Sequence, residues 1–428
     1  MIDVAPPASG RRRACFLGVA LFAVALSAGI LFVSFFPPDT PANDAVEFFA
    51  LARNVAEGNG FTQDGVAPAS YRPPLFSALL GGWFFLTGTS SVASASMFQS
   101  LAHAAGILAV FLLFLEITPS LACATGAALF LAVNPLLVTR VGFVLQEPTL
   151  LLFTILAAYL SVRMVKAPSA PRAALTGAAW GLCTLAKVVA WFIPFVLLAM
   201  HFLPGRLRRE WRGTEAAALL ICFAAIIAPW AIRNYVHFQR FILVNEQGEG
   251  MLEWNVSHAE IPGERPGSEY SAEVSRKGLP EGERMVRLWR YVVDHPRYFL
   301  VDRTARNIVH FAAPSRDWWI ATGRARLNEH GMLYWVLSLL FHMPLYALLL
   351  LRTGQWWKGR ASIAHGFLIL LYWAYWAQHA IVWGDPRFGL AVYPLLLAMA
   401  LPPPKEGEGD GIRSARGEDQ DLREAERA

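Results

Sequence analysis

The run from Cys15 to Phe36 is apolar and uncharged. At about 1.5 Å per residue it is long enough to cross a hydrocarbon core of roughly 30 Å. Nine more apolar segments follow: residues 93–117, 120–138, 148–165, 173–189, 190–204, 214–232, 332–351, 361–382 and 388–403. The pattern predicts about ten transmembrane helices, with both termini on the cytoplasmic side. Basic residues support this alternation, because the loops it places inside carry Lys166 and Arg172, then Arg206, Arg208, Arg209 and Arg212, then Arg352, Lys358 and Arg360. The turn near Thr118, which it also places inside, has no basic residue. Phe76 to Leu86 is apolar too, but it is short and broken by Gly81-Gly82, so it reads as an interfacial helix. If it crosses instead, the next spans invert and Lys166 lies outside.

Composition fixes the class. With 55% hydrophobic and 16% charged residues and a mean hydropathy of +0.39, the chain is too apolar for an ordinary soluble protein of 428 residues. It reads as an all-α polytopic integral membrane protein of the inner or plasma membrane. Two extracytoplasmic segments, 37–92 and 233–331, bear interfacial helices. A cytoplasmic N-terminus (1–14) precedes a membrane domain (15–404), and a polar tail (405–428) follows it, too poor in apolar residues to fold. Arg11-Arg-Arg13 before an apolar core resembles a secretory signal, but that core is too long and ends in Phe-Phe-Pro-Pro without a small-residue cleavage site. The formal charge of +5 does not indicate nucleic acid, since the Lys and Arg residues cluster beside apolar segments, where they orient the chain and meet lipid headgroups. Cys15, Cys123, Cys183 and Cys222 lie in apolar segments without metal-ligand spacing and read as packing residues.

Chemistry concentrates in the first outer segment. Pro41 behind Thr40, with Gly58 downstream, predicts a helix over Pro41–Glu57. On it Asp44, Glu47 and Leu51 share a face. An acidic face a few residues from the hydrocarbon boundary suits a base acting on a lipid-borne substrate. The plainer alternative is that both acids only complement the helix dipole. In the second outer segment, residues 283–306 place apolar residues at helical spacing among basic ones, as interfacial helices do.

Several motifs taken together resemble the GT-C class of membrane glycosyltransferases, whose branches include protein O-mannosyltransferases and lipid A aminoarabinose transferases. Asp44 to Asn54, ending in Leu-Ala-Arg-Asn, is similar to the first-loop motif of that class. Glu57-Gly-Asn-Gly-Phe61 and Arg72-Pro-Pro74 continue the likeness, as do Gly181-Leu-Cys-Thr-Leu-Ala-Lys187, Pro229-Trp-Ala-Ile-Arg233-Asn-Tyr235, His295-Pro, Asp385-Pro-Arg387-Phe388 and Tyr393-Pro394. Ala45 and Phe48 depart from the pattern, where an acidic residue and a Tyr are common. The resemblance implies a sugar donor on a polyprenyl phosphate, a lipid, glycan or protein acceptor, and Asp44 as base on the acceptor hydroxyl at the outer face. A phosphate leaving the anomeric carbon gains charge in a poorly solvated site and needs cations nearby. Arg72, Lys187, Arg233 and Arg387 are the candidates.

Three of these cations also have a structural alternative: snorkelling for Lys187, interfacial anchoring for Arg233, pairing with Asp385 for Arg387. Glu147, at an outer turn, is a candidate helper for acceptor or a cation, or simply a helix-start acid. No His, Cys or carboxylate spacing assigns a metal or other cofactor, although a divalent ion on the acidic face is compatible with the pattern. Besides membrane lipids, the expected partners are the donor and acceptor. The competing function is a lipid or small-molecule transporter or flippase, which predicts charges in mid-span and two similar halves. Neither feature is visible. A subunit that only scaffolds partners is the third reading, and it would not require Asp44, Lys187 and Arg387 together.

Overall fold

Helix α1 (Ala8–Phe35) is 28 residues long, and α4 (Val92–Ile117), α7 (Glu147–Lys166) and α10 (Gly213–Phe238) have 26, 20 and 26. These four, in a computed structural model describing residues 8–37, 41, 44–203, 208–261, 264, 266–276, 281–312, 331–358, 362–381 and 389–401, are long and apolar enough to cross a membrane. Two-thirds (67%) of the apolar stretch is buried in α4 and in α7, against 22% in α1 and 17% in α10. The first pair therefore forms the centre of the bundle, and the second presents side chains such as Phe16, Phe35, Ile221 and Ile232 outward, as a lipid-facing surface does. The described residues hold no strand, only an isolated bridge between Thr62 and Pro68.

Other apolar segments are shorter or interrupted, for reasons visible in their residues. Helix α5 (Leu121–Ala132) starts on a Ser120 cap and stops before Asn134-Pro135. The Asn134 carboxamide accepts from the Leu136 amide at 2.9 Å and starts α6 (Pro135–Val138), so segment 120–138 is a helix pair bent by 49° when α6 is taken on to Gly142. Helix α8 (Ala170–Ala186) ends where Lys187 turns extended (φ −157°, ψ 123°). Segment 190–204 is therefore not one continuous helix: α9 (Ile193–Ala199) has seven residues between tighter turns. After α15 (Gly331–Trp357) and α16 (Ile363–Ile381), α17 (Tyr393–Ala400) has eight residues. The tail 405–428 lies outside the described residues.

Small residues set the tightest helix contact. Gly177 and Gly181, four apart on α8, meet α10 so closely that a Cβ on Gly177 would sit 2.0 Å from the Leu219 carbonyl oxygen, and one on Gly181 2.8 Å from Ile226. Close approach of backbones through glycines spaced by four is a standard packing mode in membranes.

Two further segments have hydrophobic clusters of their own. The first holds α2 (Asp44–Ala56) and α3 (Pro74–Thr87), joined across Ala45, Phe48, Ala52, Phe76, Leu80 and Phe84. At 14 residues, α3 reaches only about 21 Å, less than a bilayer core. The second holds α11 (Gln247–Ser257), α12 (Gly267–Arg276), α13 (Glu281–Asp294), a π-helical turn at Tyr298–Asp302 and α14 (Arg303–Ala312). It has its own small core around Val256, Leu288, Tyr291, Tyr298 and Phe299.

Candidate active site

Asp44 and Glu47 occupy the first turn of α2, where the helix dipole favours negative charge. The Thr40 cap expected from the sequence lies outside the described residues. Twenty-eight residues after Asp44, Arg72 precedes Pro73-Pro74, the start of α3, and a residue before proline is driven to extended backbone. Its side chain returns to α2. The Arg72 Nη2 donates to Asp44 Oδ1 at 2.8 Å and Nε to Glu47 Oε2 at 2.5 Å, so one guanidinium bridges both acids. The Phe48 and Tyr71 rings lie 5.1 and 5.0 Å from its centre. Burial alone would lower the Arg72 pKa, but Glu47 and Asp44 outweigh it and hold the cation above its ordinary value. The Arg72 side chain is 9% exposed and the two acids 32% and 31%, so the carboxylates keep an open side while their counter-ion is shielded.

The loop between α2 and α3 is locally organised. Asn54 Nδ2 donates to the Thr62 and Gln63 carbonyls at 2.9 and 3.1 Å, and Gly58, Gly60 and Gly65 take the positive φ angles the turns require. Asp64 accepts from the Val66 and Ala67 amides at 2.9 and 2.8 Å, which holds its carboxyl below the usual carboxylate range. Residues 69–71, just before Arg72, are then clasped by a distant segment. Arg233, near the end of α10, donates from Nη1 to the Ala69 carbonyl at 2.8 Å and from Nη2 to the Phe61 carbonyl at 3.2 Å. The Asn245 side chain donates to the Tyr71 carbonyl at 3.0 Å, and the Glu246 amide to the Ser70 carbonyl at 3.1 Å. Asn234 and Trp230 in turn hold the Ile242 and Val244 carbonyls, so the strand-like return after α10 is fixed to its own helix.

A second cluster lies around α16. Glu147 starts α7 with Pro148 behind it and is 6% exposed; its Oε2 has no hydrogen-bond partner among the described residues. Lys187, the extended residue that ends α8, is 8% exposed. The helix that Glu147 starts and the turn that follows Lys187 both pack against α16, which carries Tyr375 and His379 one turn apart. The turn carrying Glu147 also touches the first site, because Val144 and Leu145 pack with Ala45 and Phe48 of α2. Gln99 fastens that turn by donating to the Phe143 and Leu145 carbonyls.

The sequence-predicted residues thus fall into three groups. Asp44, Glu47 and Arg72 form one ionic unit, Glu147 and Lys187 flank α16 nearby, and Arg233 binds backbone carbonyls of the loop that bears Arg72. Arg387 and Asp385 lie outside the described residues. Tyr71, Tyr375 and His379 were not singled out as site residues by sequence reasoning. For the last two the signal was present, as polar side chains four apart near the end of an otherwise apolar segment. Among the described residues no three or more His, Cys, Asp or Glu side chains come together as a metal cage.

Residues 71–232 match the family model described as dolichyl-phosphate-mannose-protein mannosyltransferase. Among curated proteins none matches the sequence. Among solved structures, the archaeal oligosaccharyltransferase AglB from Archaeoglobus fulgidus, in complex with an inhibitory peptide and a dolichol-phosphate, is similar with a TM-score of 0.55 and 17% identity, over 90% of this chain and 50% of that one. The Archaeoglobus fulgidus oligosaccharyltransferase tethered to an acceptor peptide containing the NVT sequon gives 0.54 and 16%, over 90% and 49%. ArnT from Cupriavidus metallidurans bound to undecaprenyl phosphate gives 0.42 and 16%, over 89% and 77%. The chain spans about half the length of the oligosaccharyltransferase it matches. It shares its helical fold with these oligosaccharyltransferase structures.

Proposed function

We propose that this protein transfers a sugar from a polyprenyl-phosphate-linked donor to a hydroxyl of a lipid, glycan or protein acceptor at the outer face of the membrane. The observation that carries the reading is the carboxylate of Asp44, a third exposed, set at a helix start and oriented by the shielded Arg72. The family match and the shared fold support it. In the proposed step Asp44 takes the acceptor proton, the acceptor oxygen bonds to the anomeric carbon, and the bond from that carbon to the phosphate oxygen breaks. The polyprenyl phosphate leaves as an anion. Lys187 and, by resemblance, Arg387 meet that charge. Arg72 and Arg233 act one step back. Arg72 fixes Asp44 and Glu47, and Arg233 fixes the backbone that carries Arg72. Glu147 is the second acid of the site. No cofactor is assigned. The proposed topology keeps about ten crossings, the broken helices pairing with their neighbours to span, with Asp44 on the extracytoplasmic side.

The test is transfer in membranes supplied with polyprenyl-phosphate sugar. Asp44→Asn preserves size but removes the base, so turnover is expected to fall by roughly 10²–10⁴-fold while donor binding persists. Near-normal transfer by that variant would return the protein to the transporter reading.

A further inference from the structure

The second outer segment encloses a cavity that no residue of the candidate active site lines. It measures about 480 Å³ and lies between the end of α11, the start of α12 and the π-turn leading into α14. This is within the range of roughly 300–1,000 Å³ found for small-molecule sites. Its polar lining includes Arg303 and Arg306, three apart on α14, together with Tyr298, Asn255, Asn307 and one acid, Glu260. A π-turn of this kind recurs at functional sites.

These groups are organised. Arg306 Nη2 donates to the Tyr298 hydroxyl at 2.9 Å, and that hydroxyl donates to the His258 carbonyl and accepts from the Glu260 amide, each at 3.3 Å. The Tyr298 ring also lies under the Arg306 guanidinium. Arg303 stacks over Phe299, and burial, with Arg306 adding to it, pushes its pKa down to about 10. An anion delivered between the two arginines would offset both effects. Asn255, 8% exposed, lines the same cavity with its Oδ1 lacking any hydrogen-bond partner among the described residues. A buried acceptor of this kind calls for a donor such as a hydroxyl. Asn307 fastens the inner wall to the bundle by donating to the Ala380 carbonyl of α16 at 3.0 Å.

We infer that this cavity binds a phosphorylated sugar, with the phosphate between Arg303 and Arg306 and a ring hydroxyl on Asn255. Two guanidiniums suit a phosphate ester better than a neutral glycan, and the volume holds a sugar ring beside it. Within the proposed reaction the ligand is the acceptor, an assignment that rests on the transfer reading; the binding itself does not. The phosphate is borne either by a lipid headgroup or by a free sugar phosphate.

The test is calorimetric titration of the full chain in detergent with glucose 6-phosphate, inorganic phosphate and glucose. Glucose 6-phosphate is expected to bind at least about tenfold more tightly than the other two. Arg303→Gln and Arg306→Gln should each weaken it about tenfold, Arg303→Lys less. Asn255→Ala should weaken the sugar phosphate and leave inorganic phosphate unchanged. In nanodiscs, loss of glucose 6-phosphate binding when phosphatidic acid replaces phosphatidylcholine identifies a lipid-borne phosphate, and unchanged binding a free one. Asp44→Asn should bind like the wild type. The inference is overturned if folded wild-type protein binds no phosphate probe, or if both arginine-to-glutamine variants bind as it does. If instead these variants lose binding while Asp44→Asn retains transfer, the transfer reading fails and the cavity assignment stands.

Discussion

Arg72 is the residue on which the acidic face depends. Its removal leaves two carboxylates of α2 three residues apart with no shared counter-ion, a repulsion softened by their partial exposure. Arg72→Met is therefore expected to cost about 1–2 kcal/mol of stability, read as a lowered unfolding transition in detergent. Adding Glu47→Gln should recover part of that loss, because it removes one of the two repelling charges; full additivity would mean that the pair does not interact. Glu47→Gln alone should cost less turnover than Asp44→Asn, although each removes one charge from the same face, and equal losses would indicate a general electrostatic role. At Asp64 the sign is simple. Its carboxyl is lowered by two backbone amides, so the loop contact it makes is present above the ordinary carboxylate range and lost as pH falls through the lowered value. Acidification of the wild type and Asp64→Ala at neutral pH should both open residues 58–68 to proteolysis. The acids were legible in the sequence from their spacing on a helix. Their common partner was not, because a contact across 28 residues depends on how α3 folds back.

Among elements, the α8–α10 contact carries the firmest expectation. A methyl group on Gly177 would meet the Leu219 carbonyl, backbone that cannot rotate away, so Gly177→Ala should destabilise by about 1–3 kcal/mol, measured by denaturation in mixed micelles. Gly82→Ala on α3 provides the contrast. Nothing lies within 4 Å of its added Cβ, and the gain in helix propensity should make it neutral or stabilising by up to about 1 kcal/mol. Equal effects at the two glycines would sink the packing argument. The apolar runs announced the long helices directly, since length and absence of charge are properties of the sequence alone. The breaks were subtler. Asn134-Pro135 carried the turn chemistry that bends segment 120–138, yet hydropathy passes smoothly over it. Lys187 was recognised as an unusual cation in an apolar stretch, but not as the point where α8 ends.

For the molecule as a whole, the proposed topology is checked by reporter fusions: Lys166, Arg209 and Lys358 should report cytoplasm, and sites near Asp64 and Pro266 the opposite side. An outside signal at Lys166 would mean that α3 crosses the membrane after all. The likeness to a membrane-enzyme class was readable from motifs spread over most of the apolar chain, whereas the cap cavity was not, because it is assembled from segments some fifty residues apart that share no motif. The clasp by Arg233 has a further consequence, in the order of biosynthesis. The hydrogen bonds from Arg233 to Ala69 and Phe61 span 164 and 172 residues, and those from Asn245 and Glu246 are longer still. At roughly 5–20 residues per second, the ribosome finishes Arg72 about 8–30 seconds before it makes the residue that secures it. During that interval Asp44 and its counter-ion Arg72 already exist on the nascent chain, but the loop that joins them lacks its bonds to α10. The loop that carries Arg72 therefore gains its clasp only once α10 has been made, and a chain that stalls before residue 233 lacks the contacts that tie Phe61 and Ala69 to that helix.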